Sequence, residues 1–389
     1  MQRVASVDVY RGFVMLLMMG EVLNLSAVSR ALPDSAFWHM LAFNQNHVEW
    51  QWFSLHDMIQ PSFTFLVGVV LPYSIASRKS KGATFGSLLK HTVKRSVILI
   101  LLGIFLRSMH ADQTYFTFED TLTQIGLGYT FLVLLAFCKP RTQLITLGVI
   151  LIGYWLLFAV YPLPDPNFDY RAVGVPPNWP YNMDGFAAHW NKNSNAAWAF
   201  DTWFLNLFPR EKVFLYNGGG YATLSFIPTL GTMILGLVAG NILRADLEPG
   251  KRIRLFLQWG AGLIGIALFF HFIGVNPIVK RIWTPAWTLF SGGICFLFLT
   301  AFYWIIDVIR KDRWSFFLKV IGVNSIAAYV IADGGVKTFF QRSLFIHLGA
   351  DFDQLFGSAY ATLVSGALVL LLEWLVLHWM YKKKIFLKI

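Results

Sequence analysis

The sequence predicts an all-α integral membrane protein: a single domain over 1–389 with about ten transmembrane helices and an extended outer-face loop between helices five and six. Two observations carry that expectation. Charged residues make up only 14% of the chain against 56% hydrophobic, and the mean hydropathy is +0.55, whereas soluble domains hold about 25% charged residues. The apolar residues are also gathered into runs near the length, about 20 residues, that a helix needs to cross a hydrocarbon core. The 36 Phe, 15 Trp and 14 Tyr exclude a disordered chain, since that much apolar surface must be buried in protein or lipid.

The runs fall at 12–30, 56–77, 96–109, 121–138, 143–161, 223–243, 255–273, 285–307, 320–336 and 358–381. No small-x-small cleavage pattern follows the first, so it reads as a retained helix rather than a signal peptide. Basic residues then set the orientation. With the N-terminus inside, the inner segments take Arg3 and Arg11, six residues between 78 and 95, Lys139 and Arg141, and four each in 244–254, 310–319 and 382–388. That places 22 of the 32 Lys+Arg on one side. By the excess of positive charge in cytoplasmic loops, both termini are expected in the cytoplasm of a multi-pass plasma (inner) membrane protein. Basic clusters between apolar runs suit a lipid bilayer as partner and give no ground for nucleic-acid binding.

Two outer segments, 31–55 and 162–222, are longer than simple connectors. The second holds Pro162, Pro164, Pro166, Pro176, Pro177 and Pro180, together with Trp179, Trp190, Trp198 and Trp203, a composition that favours a packed excursion over a disordered one. Cys138 and Cys295 lie within or at the ends of apolar runs, which leaves no disulfide framework. There is no HExxH, GxSxG or GxxxxGK[ST] pattern, so neither a metal, a serine nucleophile nor an NTPase loop is expected.

Ionisable groups at membrane depth are costly and invite a functional reading. Here they are Glu21, Asp57, Asp333 and Glu373. Asp57 closes the densest polar cluster of the outer face, which also holds Asn44, Asn46, His47, Glu49, Trp50 and His56. A histidine titrates near neutrality, and a neighbouring carboxylate fixes its tautomer, the base–orienter arrangement of many acyl-transfer sites. On the opposite face, the segment from Arg78 to Arg95 has the highest positive density. By charge alone it fits anionic lipid headgroups.

The motifs resemble those of the heparan-α-glucosaminide N-acetyltransferase family of multi-spanning membrane acetyltransferases. The opening Ser-x-Asp-x-x-Arg-Gly is matched by Ser6, Asp8, Arg11 and Gly12. The outer-loop pattern is matched by His47, Trp50, Asp57 and Pro61, continuing through Phe63, Phe65 and Gly68. Leu224 to Gly240, Pro277 to Pro285 and Gly322-Val323-Asn324-Ser325-Ile326 are similar to three further family segments. The chain departs from the pattern at Thr123-Gln124, in the Gly-rich stretch before 223, and at Val22, where the family's Asn is replaced and Glu21 and Asn24 stand beside it.

The resemblance implies transfer of acetyl from cytosolic acetyl-CoA, as co-substrate, to the amine of an amino sugar or glycan on the outer face. It implies His47 as general base and Asp57 as its orienter. Glu21, Asn24, Trp50, Lys280 and Asn324 are expected at the acceptor, and Arg78, Lys79, Lys94 and Arg95 at the CoA phosphates. A second copy of the chain is a further expected partner. Three alternatives stay open at this point: O-acetylation of a polysaccharide or lipid, an acetyl-histidine intermediate, and a proton-coupled secondary transporter.

Overall fold

The computed structural model describes residues 4–387. Arg3 and Lys388, counted above among the inner positive charges, lie outside them. Regular structure is helical, with one isolated β-bridge, Gln51 to Val279, among the described residues. The chain opens with α1 (Ala5–Met19), α2 (Leu25–Ala31) and α3 (Ala36–Gln45). Four long helices follow: α4 (Ile59–Lys79), α5 (Phe85–Ser108), α6 (Thr121–Ala136) and α7 (Pro140–Ala159). The excursion between α7 and α9 contains α8 (Ala196–Phe204). Next come α9 (Phe226–Arg244), α10 (Pro249–Phe272), α11 (Pro285–Phe302), α12 (Phe316–Val323), α13 (Ser325–Asp333), α14 (Val336–Leu348) and α15 (Ala361–Lys382).

Among the described residues six helices are long and apolar enough to cross a membrane, or eight if each of two bent pairs counts as one span. Length and composition do not recover all ten spans read from sequence, for two physical reasons. The run 121–138 forms a helix of only 16 residues, about 24 Å at 1.5 Å per residue against a core of about 30 Å. The run 96–109 belongs to a longer helix, α5, which also carries Lys90, Lys94, Arg95 and Arg107.

Local chemistry sets the helix starts. Asp120 caps α6 by accepting from the Leu122 and Thr123 amides, and Thr84 caps α5 through Ser87. Pro140, Pro249 and Pro285 stand in the first turns of α7, α10 and α11, where the missing N–H costs nothing. The bent pairs break at asparagines. Asn24 takes a left-handed conformation (φ 45°) between α1 with its 3₁₀ extension and α2, which are bent by 45°. Asn324 separates α12 from α13 at a 72° bend.

Backbone contact organises the bundle centre. A side chain at Gly236 or Gly240 of α9 would collide with the Phe65 or Val69 carbonyl of α4, and one at Gly68 with the Met233 carbonyl. Gly12 of α1 and Gly322 of α12 meet in the same way, against the Leu318 and Asp8 carbonyls. Small residues let helices approach to backbone distance where lipid supplies no hydrophobic drive. Around these seams lies the apolar core of Phe65, Val69, Met233, Leu237, Trp287 and Phe296.

Candidate active site

His47 lies in the irregular segment 46–55, and Asp57 in the 3₁₀ turn His56–Met58 that starts α4. His47 Nδ1 is 2.8 Å from Asp57 Oδ1. A carboxylate only accepts, so Nδ1 carries the proton and Nε2 keeps the lone pair. Asp57 is fully buried. Its Oδ2 takes the backbone N–H groups of Ser54 at 2.9 Å and Val48 at 3.2 Å, and its Oδ1 also takes the Lys280 ammonium at 3.1 Å. The Ser54 hydroxyl also lies 3.1 Å from Oδ2, and these five donors hold the carboxylate in one orientation.

Lys280 comes from 223 residues beyond Asp57, and a backbone zipper delivers it. The Gln51–Val279 bridge and the Trp52 amide on the Ile278 carbonyl at 3.1 Å join segment 46–55 to segment 277–284. Thr284 closes the second segment, receiving the Val279 amide at 3.1 Å and donating to the Pro277 carbonyl at 2.7 Å. Arg281 then donates to the carbonyls of Val48 and Gly219, both at 3.0 Å. The Lys280 ammonium lies 3.0 Å from His47 Nδ1, a proximity explained by their shared acceptor, Asp57. Burial, and next the Lys280 charge, lower the His47 pKa to about 4. At neutral pH this imidazole is uncharged with a lone pair available.

A second pair adjoins the first. His56 is buried, its Nε2 is 2.9 Å from Glu21 Oε1, and its ring centroid is 4.6 Å from that of His47. Sequence reading left His56 outside the family pattern. Its partner lies 35 residues earlier, in the 3₁₀ extension of α1, and the packing of α1 beside the start of α4 brings the two together.

His47 of the first pair and both members of the second face a cavity of about 690 Å³ that is also lined by Asn24, Lys280, Arg107, Glu119 and Tyr329. Of the acceptor-site expectations, Glu21, Asn24 and Lys280 therefore gather with His47. Trp50 and Asn324 do not line this cavity. Trp50 is fully buried under the 160–222 excursion, with its indole N–H on the Trp190 carbonyl at 3.1 Å. Asn324 spends its amide on the chain's last described turn, donating to the Ile385 carbonyl at 2.7 Å and accepting from the Leu387 amide at 3.0 Å.

A second cavity, about 770 Å³, extends along α4 toward its other end. Its walls are apolar at Leu66, Val70, Leu99 and Ile125, and polar at Arg11, Ser77, Ser80 and Arg95. Of the four basic residues expected at the cofactor, Arg95 lines it. Arg78 instead bonds His91 at 2.8 Å, Lys79 lies over the Phe137 ring, and Lys94 is exposed. Sequence reading gave Arg11 no binding role, although the opening motif contains it. Thr121 and Tyr329 line both cavities, so the two spaces meet there. Asp57, which holds His47, lies in the turn immediately before the 21-residue α4 and Arg78 lies in its last turn, and α4 is about 31 Å long.

No family model matches the chain. Two curated proteins are similar to it over most of its length, both named heparan-alpha-glucosaminide N-acetyltransferase. The human (Homo sapiens) protein is 26% identical over 371 residues, covering 84% of this chain and 52% of its own length. The mouse (Mus musculus) protein is 24% identical over 430 residues, covering the whole chain and 60% of its own. The chain thus spans little more than half the length of the curated relatives it matches.

Proposed function

We infer that this chain is a transmembrane acetyltransferase that moves acetyl from cytosolic acetyl-CoA to an amine, as on an amino sugar, at the opposite membrane face. The observation that carries this reading is the pair of cavities meeting at Thr121 and Tyr329, with guanidinium groups at one end and an imidazole–carboxylate pair at the other. Phosphates cannot enter a hydrocarbon core about 30 Å thick. A long thin thioester arm can. Arg11 and Arg95 suit the phosphate-bearing end, and the apolar walls between them and Tyr329 suit the arm.

At the far end, the neutral His47 accepts the proton that the amine nitrogen sheds as it attacks the thioester carbonyl. Asp57 holds the ring and balances the imidazolium. Lys280, fixed by Asp57, is the nearest cation for the developing oxyanion. The charge asymmetry of the sequence supports the Arg95 end as cytoplasmic and the plasma membrane as the location. The names of the two relatives support an N-acetyl product over an O-acetyl one.

The junction gives the test. Thr121→Phe narrows the meeting point without touching His47, Arg11 or Arg95. It is expected to abolish acetyl transfer while acetyl-CoA still binds, as read by equilibrium dialysis with labelled acetyl-CoA. Transfer at the wild-type rate would break the link between the two cavities and this function.

A further inference from the structure

The cavity contains one more imidazole–carboxylate pair than a single proton transfer requires. We propose that Glu21 and His56 form the acceptor-activating pair, taking the first proton from an acceptor that arrives as an ammonium and leaving the second to His47. The proposal rests on the acetyl-transfer reading above and extends it to the form in which the acceptor binds.

An ammonium acceptor and acetyl-CoA give an amide, CoA thiol and one released proton. The nitrogen loses two protons: one before it can attack, and one as the tetrahedral adduct collapses and the C–S bond breaks. The second proton ends on the departing thiolate, and the first goes to solvent. A hydroxyl acceptor sheds only one proton, which the thiolate takes, so one base would suffice.

His47 is poorly placed for the first step. The Lys280 ammonium lies 3.0 Å from it and repels an incoming ammonium, and an imidazole with a pKa of about 4 is too weak to deprotonate an alkylammonium. It is strong enough for the second, because the nitrogen of the adduct is far more acidic. Glu21 has the opposite setting. Its side chain is 46% exposed while the His56 side chain behind it is 6% exposed, and both line the cavity. The carboxylate receives the ammonium, and the proton is held by the pair as imidazolium and carboxylate. Of the other acidic groups, Asp57 is paired with Lys280, and Glu119 and Asp333 share the field of Arg107. Lys337 of α14 is the cation facing Glu21, and His47 also lies within its field.

The test uses the full chain in detergent with acetyl-CoA and two acceptors at about pH 5.5, some two units below the amino-sugar amine's pKa. Glucosamine is largely an ammonium at that pH, and aniline is already neutral. Glu21→Gln and His56→Gln are expected to cut transfer to glucosamine by about 10²-fold, the usual worth of a positioned base. Transfer to aniline should change by less than about threefold by the same argument, and the glucosamine deficit should close as pH rises above the amine's own pKa. Retained aniline turnover also reports that the variants are folded. Equal losses on both acceptors, a loss independent of pH, or no loss would each overturn the proposal. Wild-type protein that consumes acetyl-CoA with aniline but ignores glucosamine would overturn it while leaving the acetyl-transfer reading standing. Wild-type protein with no acetyl-CoA turnover on either acceptor would overturn both.

Discussion

At the scale of the residue, the site is organised from Asp57 outward. Its two buried oxygens are filled by His47, Lys280 and the amides of Val48 and Ser54. His47→Ala is therefore expected to reduce acetyl transfer by at least about 10²-fold, with acetyl-CoA affinity unchanged in equilibrium dialysis because the nucleotide end lies along α4 from it. Asp57→Asn should cost less, since the amide oxygen still accepts from the ring. The pH profile tests the electrostatics separately. Protonation removes the His47 lone pair, and with the pKa lowered to about 4 this loss begins well below neutrality. With aniline as acceptor, kcat/KM for acetyl-CoA should stay level down to about pH 5 and fall as pH approaches 4, where an ordinary histidine would fall near 6.5. Lys280→Met removes a charge that depresses this pKa, so the acid limb should move upward. The His–Asp pair and Lys280 were legible in sequence because each belongs to a compact local pattern. The His56–Glu21 pair was not, because its members stand 35 residues apart and meet only through the packing of α1 beside the start of α4. Trp50 matched its motif, yet nothing in the spacing says that the indole turns inward to Trp190 rather than toward the cavity.

At the scale of the element, close approach is bought with glycine. An alanine at Gly236 would collide with the Phe65 carbonyl and force α4 and α9 apart, at a cost of about 1–3 kcal/mol for an overpacked core. Gly262, in α10, has open space where a side chain would go. Gly236→Ala is thus expected to lower the melting temperature measured by scanning fluorimetry in detergent, and Gly262→Ala to leave it unchanged or raise it. Helix positions were largely readable from hydropathy, since each apolar run became a helix, part of one, or a pair broken at an asparagine. Bends were not: the asparagines at 24 and 324 that break α1–α2 and α12–α13 look unremarkable within apolar runs. The short reach of α6 was hidden as well, because hydropathy continues past Ala136 while the helix does not.

At the scale of the whole molecule, the proposed sidedness has a direct check. In a background where Cys138 and Cys295 are serine, His47→Cys and Gly185→Cys should react with an impermeant thiol reagent applied outside intact cells. Labelling only after lysis would reverse the orientation. The seams of α4 on α9 and of α1 on α12 bear on how such a protein operates across its two faces. Where backbones touch there is no lubricating layer of side chains, so neither pair can shear past its partner. A carrier that alternately opens to each side needs such a plane of slip. Here the seams make a stator, so the acetyl transfer proposed above calls for a fixed bore, in which the acetyl group travels while the frame between the two faces stays shut.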